Sequence, residues 1–542
     1  MKQSSWRRPV FFLIAGLLAL ASCAKRETPV ERGNREGVLY KGSGTEPESL
    51  DPHVVRGITE WTIVGSLFEA LVAPDPATGR PAPGVAERWE ASADGLVYTF
   101  HLRADARWSD GGPVTAEDFA YSAQRLLTPA MGSAHAEDTL MFLRNARAFQ
   151  TGRLADFAQV GVRVIDARTL ELTLENPAPF FPEALYQFYP VKRSVVEKFG
   201  AMTDRNSTWT RPENFVGNGP FTLAGWRPGQ ELVAVKSPTY WDAGHVRLHE
   251  VHFLPYENPA TEETAFRNGQ LHLTYGVPLQ KIPSYHVLNP GALKTVPDFG
   301  NYFYSVNVRR RPLDDSRVRR ALALAIDREA LAHRILDGGR EPATSFTPPG
   351  LGDYRAPAGL VRFDPAEARR LLAEAGFPEG RGFPHLEILI DSREPHRLVG
   401  ETVQQMWRQN LGVEIGLRNE ETRALIASKR AFDFDFVRGS WNASSYRDPH
   451  YFLVSWLTGG LYNEAGWSNG QFDALIGLAV RTGDPARRLS LFRDAEAEML
   501  RDMPVIPIFY SAETFLMAPS VHGWSGRPFA DRLFKTMWLE AK

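Results

Sequence analysis

Cysteine is nearly absent from this chain of 542 residues, in which Cys23 is the single example. No disulfide can form within one chain, so the fold must be stabilised by apolar burial, which a chain of this length supplies over several domains. Neither sign of charge is in excess, since 62 Lys and Arg residues stand against 64 Asp and Glu residues. We therefore expect no nucleic-acid partner, because such partners select basic surfaces.

Long apolar runs are also scarce. The run at residues 10–20 follows a basic start and is too short to span a membrane, but it has the proportions of a secretory signal. The sequence Leu20-Ala21-Ser22-Cys23 resembles a bacterial lipobox. This resemblance implies a lipoprotein signal peptide at 1–22, a lipid on Cys23 and, at 23–37, a polar tether that does not pack. An ordinary signal peptide with an incidental cysteine is the alternative.

Catalytic motifs are missing as well. The chain has no His-Glu-x-x-His and no glycine-rich phosphate loop, and Gly523-Trp524-Ser525-Gly526 is not the Gly-x-Ser-x-Gly elbow of a serine hydrolase. His245, His249 and His252 lie close in sequence, but a strand would place His249 and His252 on opposite faces, whereas a zinc site needs converging ligands. We therefore expect no enzymatic activity, no cofactor and no metal; a peptidase is the least favoured alternative.

The first half contains clear strand and helix signals. Asp94-Gly95 is a turn pair, and apolar and polar residues alternate over 98–102, which predicts a half-buried strand. Thr115 and Asp118 have the spacing of a capping box and predict the start of a helix.

The second half of the chain alternates between predicted helices and predicted strands. Helices are predicted after Asp314 or Asp315, after Asp364 and after Asp484, and the first of them is expected to end at Gly338-Gly339. Strands are predicted at 386–390 and 505–510. Strands that alternate with helices indicate α/β layers.

Several motifs along the chain occur together in one known family. The sequence resembles family 5 of the bacterial extracellular solute-binding proteins, the peptide- and nickel-binding class of ABC transporters. The segments after residue 438 are most similar to its oligopeptide-binding members. The motifs that carry the resemblance are residues 67–71, 87–119, 217–221, 237–241, 266–269, 315–319, 325–328, 347–349, 438–449, 471–473 and 487–495.

The resemblance implies an α/β fold of the class II periplasmic-binding type, in which two lobes close on a ligand like a flytrap. It also implies a third, smaller inserted α/β domain. Carried onto this chain, lobe I comprises residues 38–68, 190–298 and 512–542, the inserted domain 69–189, and lobe II 299–511.

The implied function is the capture of oligopeptides outside the cytoplasm and their delivery to the permease subunits of an ABC importer. The protein would be a monomer in the cell envelope, periplasmic or extracytoplasmic, and attached to the membrane through Cys23. A peptide added to the protein as a strand pairs through its main chain, so its side-chain identity matters little. Modified peptides, cell-wall peptides or another solute such as a saccharide, lacking a free α-amine, are the alternatives.

The resemblance also implies the ligand site. Oligopeptide-binding members present backbone and an aspartate to the ligand near residues 438–449, but here the acidic position falls on Ser444 or Ser445. Two further acidic positions are occupied by Ser305 and Arg56. The other residues implied at the ligand are Ile58, Glu60, His396, Arg438, Gly439, Trp441, Asn442 and Tyr446.

The missing aspartate alters the expected ligand. A buried ammonium without a counter-charge costs several kcal/mol, which a serine hydroxyl cannot offset. We therefore expect either a ligand without a cationic N-terminus or contact with another acid, such as Glu60. Arg438 and His396 fall on family positions that meet ligand carboxylates, and together with Arg56 they favour an anionic ligand.

Overall fold

The computed structural model describes residues 27–133, 135–336, 338–392, 394–443, 445–460, 462–527 and 533–541. The predicted signal peptide at 1–22 and the predicted lipid site Cys23 lie outside these ranges. Within them, no helix is both long enough and apolar enough to cross a membrane.

Short strands are distributed over the whole described chain. In chain order they are β1 (Val38–Gly44), β2 (Val72–Pro74), β3 (Pro81–Pro83), β4 (Ala86–Ala91), β5 (Val97–Leu102), β6 (Val162–Asp166), β7 (Thr169–Thr173), β8 (Phe221–Arg227) and β9 (Glu231–Lys236). They continue with β10 (Glu250–Pro255), β11 (Leu293–Val306), β12 (Glu341–Pro342), β13 (Leu386–Asp391), β14 (Ile415–Glu420), β15 (Phe436–Asn442), β16 (Val505–Leu516), β17 (Val521–His522) and β18 (Trp538–Leu539).

Helices lie between most of these strands. They are α1 (Pro29–Glu36), α2 (Ile58–Leu67), α3 (Ala116–Leu127), α4 (Ala136–Thr139), α5 (Ala146–Gln150), α6 (Phe181–Ala184), α7 (Arg193–Phe199), α8 (Pro259–Arg267) and α9 (Ile282–Leu288). The later ones are α10 (Ser316–Leu324), α11 (Arg328–Ala330), α12 (Pro365–Glu374), α13 (Glu394–Leu411), α14 (Thr422–Arg430), α15 (Pro449–Leu453), α16 (Gly470–Ala479) and α17 (Pro485–Asp502).

Three sheets organise the molecule and define its parts. Lobe I contains a four-stranded sheet in the order β1-β10-β9-β8, in which only β1 and β10 are parallel. The inserted domain contains the antiparallel sheet β4-β5-β7-β6. Lobe II contains the six-stranded sheet β12-β16-β11-β15-β13-β14.

The segment expected to be a flexible tether is helical in its described part. α1 starts with a capping box, because the Thr28 hydroxyl accepts from the Glu31 N–H while the Glu31 carboxylate accepts from the Thr28 N–H. Gly33 is buried against the Val38 carbonyl and the ring of His272. The prediction that this segment does not pack is therefore wrong over 27–37, since capping and contact with β1 outweigh its polar composition.

The expected elements of the inserted domain are confirmed. Alternate residues of β5 are buried, as the pattern over 98–102 predicts. Thr115 and Asp118 form the capping box that opens α3. α3 then covers the inserted sheet with a buried face that includes Phe119.

A buried ion pair joins the inserted domain to lobe I. Arg125 on α3 donates two hydrogen bonds to Asp51, with Nη2–Oδ2 at 2.6 Å and Nη1–Oδ1 at 2.8 Å. Burial alone would raise the pKa of Asp51, but the guanidinium holds it below its usual value. One apolar core runs through both parts, so lobe I and the inserted domain form one body.

Lobe II has separate apolar cores around its sheet. Asp315, Asp364 and Asp484 cap α10, α12 and α17 as expected, each accepting a hydrogen bond from a backbone N–H of the first turn. The expected continuation of the first helix to Gly338-Gly339 is wrong, because α10 ends at Leu324. The reason is a second cap: the Asp327 carboxylate accepts from the Ala330 N–H and starts a new helix.

Two long strands connect the lobes. β11 and β16 pair along most of their length, but the register is interrupted between Pro297 and Asn301. Proline has no N–H to give to the ladder, so pairing is weakened at this point. The boundaries expected at 298/299 and 511/512 fall within these strands.

Candidate functional site

Two cavities lie where lobe II faces the body formed by lobe I and the inserted domain. The hinge cavity, of about 370 Å³, is lined by α2, by the β11 residues Val296 to Phe299 and by Asn442 and Ala443. The lateral cavity, of about 1050 Å³, is lined by residues of the inserted domain and by Trp441, Tyr446 and other residues of lobe II. The end of β15 therefore lies between the two cavities.

One edge of β15 is open at this place. β15 pairs with β11 from Phe436 to Asn442, but it pairs with β13 only at Phe436 and Val437. From Arg438 onward, no described strand pairs with that edge. Ser440 and Asn442 are exposed on the same face of the strand. A strand with unpaired backbone groups is a template for pairing with an extended peptide.

The predicted residues of α2 divide between two faces of the helix. Ile58 lines the hinge cavity, as does Arg56 just before the helix, whose Nη2 lies 3.5 Å from the Gly132 carbonyl oxygen. Glu60 is buried elsewhere, and its Oε1 accepts a hydrogen bond from the Glu48 N–H at 3.3 Å. Glu60 is not among the residues that line either cavity. The structure thus does not bring the expected substitute acid to the cleft.

The predicted aromatic residues belong to the lateral cavity. Trp441 donates its Nε1–H to the Tyr451 carbonyl at 3.1 Å. Tyr446 stacks on Phe180 of the inserted domain with ring centroids 4.3 Å apart. Gly439 faces away from the cavity, since a Cβ there would lie 2.4 Å from the Phe303 ring. Asn442 lines the hinge cavity and donates to the Asp298 carboxylate.

The serines at the former acidic positions are buried where the structure describes them. Ser305 and Ser445 are each about 1% exposed, and neither hydroxyl has a hydrogen-bond partner among the described residues. Ser444 lies outside the described residues. A serine hydroxyl carries no charge, so these positions supply no counter-ion to an ammonium group.

The predicted cations are partly neutralised within the protein. Arg438 Nη2 lies 3.3 Å from Asp391 Oδ2 and 3.1 Å from His396 Nε2. His396 Nε2 lies 3.6 Å from Asp391 Oδ1, and its ring stacks on Tyr302. Arg438, Asp391 and His396 form one cluster near the start of the open edge. Because Asp391 offsets part of the positive charge of Arg438, the cluster weakens the expectation that the cavity selects anions.

Asp138 is an acid of the lateral cavity that sequence reasoning missed. It lies on α4 of the inserted domain, and the Tyr451 hydroxyl of lobe II hydrogen-bonds to its carboxylate. Burial, with a smaller contribution from neighbouring Glu137, raises the pKa of Asp138 to about 7. No local motif marks this residue, because the cavity forms only when α4 meets residues more than 300 positions away along the chain.

An ion pair also bridges the inserted domain and lobe II. The Arg447 N–H donates to Glu183 Oε2 at 2.9 Å, and Arg447 Nη2 donates to Glu183 Oε1 at 2.9 Å. Both side chains are mostly buried. This contact joins α6 of the inserted domain to the segment before α15 of lobe II.

The histidines considered as metal ligands have other partners. His249 Nδ1 lies 2.8 Å from the Glu36 carbonyl, and His252 lies between Glu231 and Glu250. Among the residues that the structure describes, no group of three His, Cys, Asp or Glu side chains could hold a metal ion.

Comparison with known proteins gives a consistent family. Residues 80–464 match the family described as bacterial extracellular solute-binding proteins, family 5. The chain is 32% identical to the periplasmic oligopeptide-binding protein of Salmonella typhimurium over 96% of each chain. It is 36% identical to a protein of Escherichia coli named as a probable deoxycholate-binding periplasmic protein, over 90% of each chain.

A solved structure extends the likeness to three dimensions. The murein tripeptide-binding protein of Escherichia coli superposes with a TM-score of 0.79 at 31% identity, covering 93% of this chain and 98% of that one. The two-lobed α/β fold expected from the sequence is thereby confirmed.

Proposed function

Because the chain belongs to the bacterial extracellular solute-binding proteins of family 5, we propose that it captures oligopeptides between its lobes and delivers them to an ABC importer. The carrying observation is the open edge of β15 between the two cavities. Peptide capture by main-chain pairing needs an unpaired strand edge together with space for side chains, and both are present here.

The dimensions of the open edge suit short peptides. From Arg438 to Asn442 the strand rises about 13 Å at roughly 3.3 Å per residue, the length of about four extended residues. The hinge and lateral cavities, of about 370 and 1050 Å³, lie beside its far end. They accept side chains of different sizes, and water fills the remaining space.

Closure is proposed to occur about β11 and β16. Bending at the interrupted pairing near Pro297 would move lobe II against the joint body of lobe I and the inserted domain. The Arg447–Glu183 pair and the Tyr446–Phe180 stack are contacts that the closed arrangement would hold. Docking on the permease subunits would reopen the cleft.

The location is proposed from the N-terminal residues. A lipid on Cys23 would keep a monomeric carrier at an extracytoplasmic membrane surface, near the importer. The protein would bind ligand without cleaving it, as expected of a solute-binding protein.

A second candidate is a solute without a free α-amine. Two observations favour it: the serines at the family's aspartate position, and the identity of 36% to a protein named as a probable deoxycholate-binding periplasmic protein. A modified or cell-wall peptide or a saccharide belongs to the same class of candidates.

Equilibrium dialysis of the mature protein against an equimolar pool of synthetic tri- to pentapeptides tests the proposal. We expect several peptides to be retained, every peptide to be recovered at its original mass, and excess deoxycholate to leave retention unchanged. Shortened peptides would indicate a peptidase. Retention of deoxycholate without any peptide would establish the second candidate instead.

A further inference from the structure

We propose that Asp138 is the counter-ion for a cationic amine of the bound ligand, replacing from the inserted domain the aspartate that lobe II lacks. This inference rests on the proposed function and specifies it, since it assigns a ligand with a free amino group. It also identifies the substitute acid that was expected at Glu60.

Asp138 lies at the junction of the inserted domain and lobe II. Asp138 lines the lateral cavity together with Trp441 and Tyr446, which adjoin the serines at the former acidic position. The Tyr451 hydroxyl contacts its carboxylate from lobe II. Asp138 therefore lies where the inserted domain meets the end of the open strand edge.

The lateral cavity contains more acidic than basic side chains. Glu137 pairs with Arg147, and Arg488 donates two hydrogen bonds of 2.8 Å to Asp448. Within the described part of the chain, no cation lies within 4 Å of Asp138. The cavity also contains Glu175 and Asp473, so it is acidic overall. An acidic cavity attracts a cation.

An unpartnered hydroxyl in the same cavity is an independent indication of a ligand. Ser133 lines the lateral cavity, is about 6% exposed, and its Oγ has no hydrogen-bond partner among the described residues. Buried hydroxyl groups are nearly always hydrogen-bonded. An ammonium group has three N–H donors, and the Asp138 carboxylate and Ser133 Oγ are acceptors for two of them.

The raised pKa of Asp138 agrees with the role of a counter-ion for an amine. Burial, with a smaller contribution from Glu137, raises the pKa of Asp138 to about 7. A bound ammonium would stabilise the carboxylate and release a proton below this pH. Affinity for a free amine should thus fall as the pH drops below about 7.

Three neighbours of Asp138 do not change their charge over the pH range of this effect. Burial raises the pKa of Tyr446 and Tyr462, and it lowers the pKa of His450 to about 4, so these groups keep their charge state between pH 5.5 and 7.5. The other ionisable groups that line the cavity or contact Asp138 are Glu137, Arg147, Glu175, Tyr451, Asp473 and Arg488.

Two tripeptide libraries test the inference. One is an equimolar set of Ala-Xaa-Ala tripeptides with uncharged Xaa, and the other is the same set N-acetylated. Native mass spectrometry of the mature protein measures which library is retained, at pH 7.5 and at pH 5.5. We expect at least tenfold selectivity for the free amine at pH 7.5 and roughly tenfold weaker retention of the free library at pH 5.5.

Matched variants locate the effect. Asp138→Asn should abolish the selectivity, whereas Glu137→Gln, one residue away, should keep it. Circular dichroism checks that both variants fold, and the pH series on the unmodified protein tests the inference even if Asp138→Asn does not fold.

The possible failures are distinguishable. Equal retention of both libraries, selectivity that survives Asp138→Asn, or selectivity that does not change with pH would overturn the inference and leave peptide capture intact. Retention of neither library by the unmodified protein would overturn tripeptide capture, and the inference with it.

Discussion

At the scale of single residues, the segment from Arg438 to Tyr446 shows which inferences the sequence permits. Trp441, Asn442 and Tyr446 line the two cavities, and their contact with a ligand stays a prediction. Arg438 also lies beside the cleft, but its charge is shared with Asp391, which no local pattern could indicate. Asp138 was missed for the same reason: a counter-ion becomes visible only when distant segments are brought together.

The raised pKa of Asp138 leads to a prediction about the stability of the folded protein. A carboxyl whose pKa is raised in the folded protein holds its proton more tightly there than in the unfolded chain. Below pH 3.8 both states are protonated and the residue has little effect, whereas between pH 3.8 and about 7 the unfolded chain ionises while the folded carboxyl keeps its proton. Stability therefore falls over this range, and the loss is complete above about pH 7. Asp138→Asn should therefore raise the free energy of unfolding by roughly 2–4 kcal/mol at pH 8 and by almost nothing at pH 4.

Denaturant unfolding at the two pH values measures this effect. Asp473→Asn is the matched control, because Asp473 lines the same cavity and accepts a hydrogen bond from the Thr458 N–H. A destabilised Asp138→Asn variant at pH 8 would contradict this prediction, since it would mean that a cation of the protein already balances the carboxylate.

At the scale of elements, local signals predicted where elements start better than where they end. The capping aspartates of α10, α12 and α17 were identified from sequence, since each cap depends on residues within one turn. α10 ends early because of Asp327, a second cap inside an apolar stripe. α1 was missed because its burial depends on β1 and on His272, which lies far along the chain.

The contact between α6 and the segment before α15 should control closure. Arg447 donates to both carboxylate oxygens of Glu183, and both side chains are mostly buried. Arg447→Met should leave Glu183 without its partner, destabilise the closed arrangement and increase the dissociation rate of bound peptide. We expect a five- to hundredfold increase, which corresponds to about 1–3 kcal/mol.

Stopped-flow release of a fluorescent peptide taken from the retained pool measures this rate. Arg193→Met is the control, because the Arg193–Glu197 pair lies on the exposed surface of α7. An unchanged release rate for Arg447→Met would show that this contact plays no part in closure.

At the scale of the whole molecule, buried neutral histidines should set the lower pH limit of stability. Burial lowers the pKa of four of them: His53 to about 3, and His135, His272 and His450 to about 4. In the unfolded chain each binds a proton near pH 6.5, so their contribution to stability is complete above that pH and is lost as the pH falls. Each contributes up to about 1.4 kcal/mol per pH unit, and Asp138 opposes one of them.

The melting temperature should therefore fall continuously from pH 7 to pH 5. His135→Gln should reduce the slope, because glutamine can still donate to the Gln187 carbonyl but does not titrate. A melting temperature that is constant over this range would be incompatible with four buried neutral rings.

The proposed lipid anchor is also a property of the whole molecule. Replacement of Cys23 by Ala should move the protein from the membrane fraction to the soluble fraction without changing peptide affinity. Calorimetry on the two forms gives the comparison. A Cys23→Ala protein that stays in the membrane fraction would rule out the lipid as the attachment.

The central claim is that the cleft holds peptides, and native mass spectrometry of freshly purified mature protein tests it most directly. We expect protein-bound species that are released on unfolding and that tandem spectra identify as intact short peptides of varied sequence with free N-termini. A single bound compound that is not a peptide, such as a bile acid or a sugar, would contradict it.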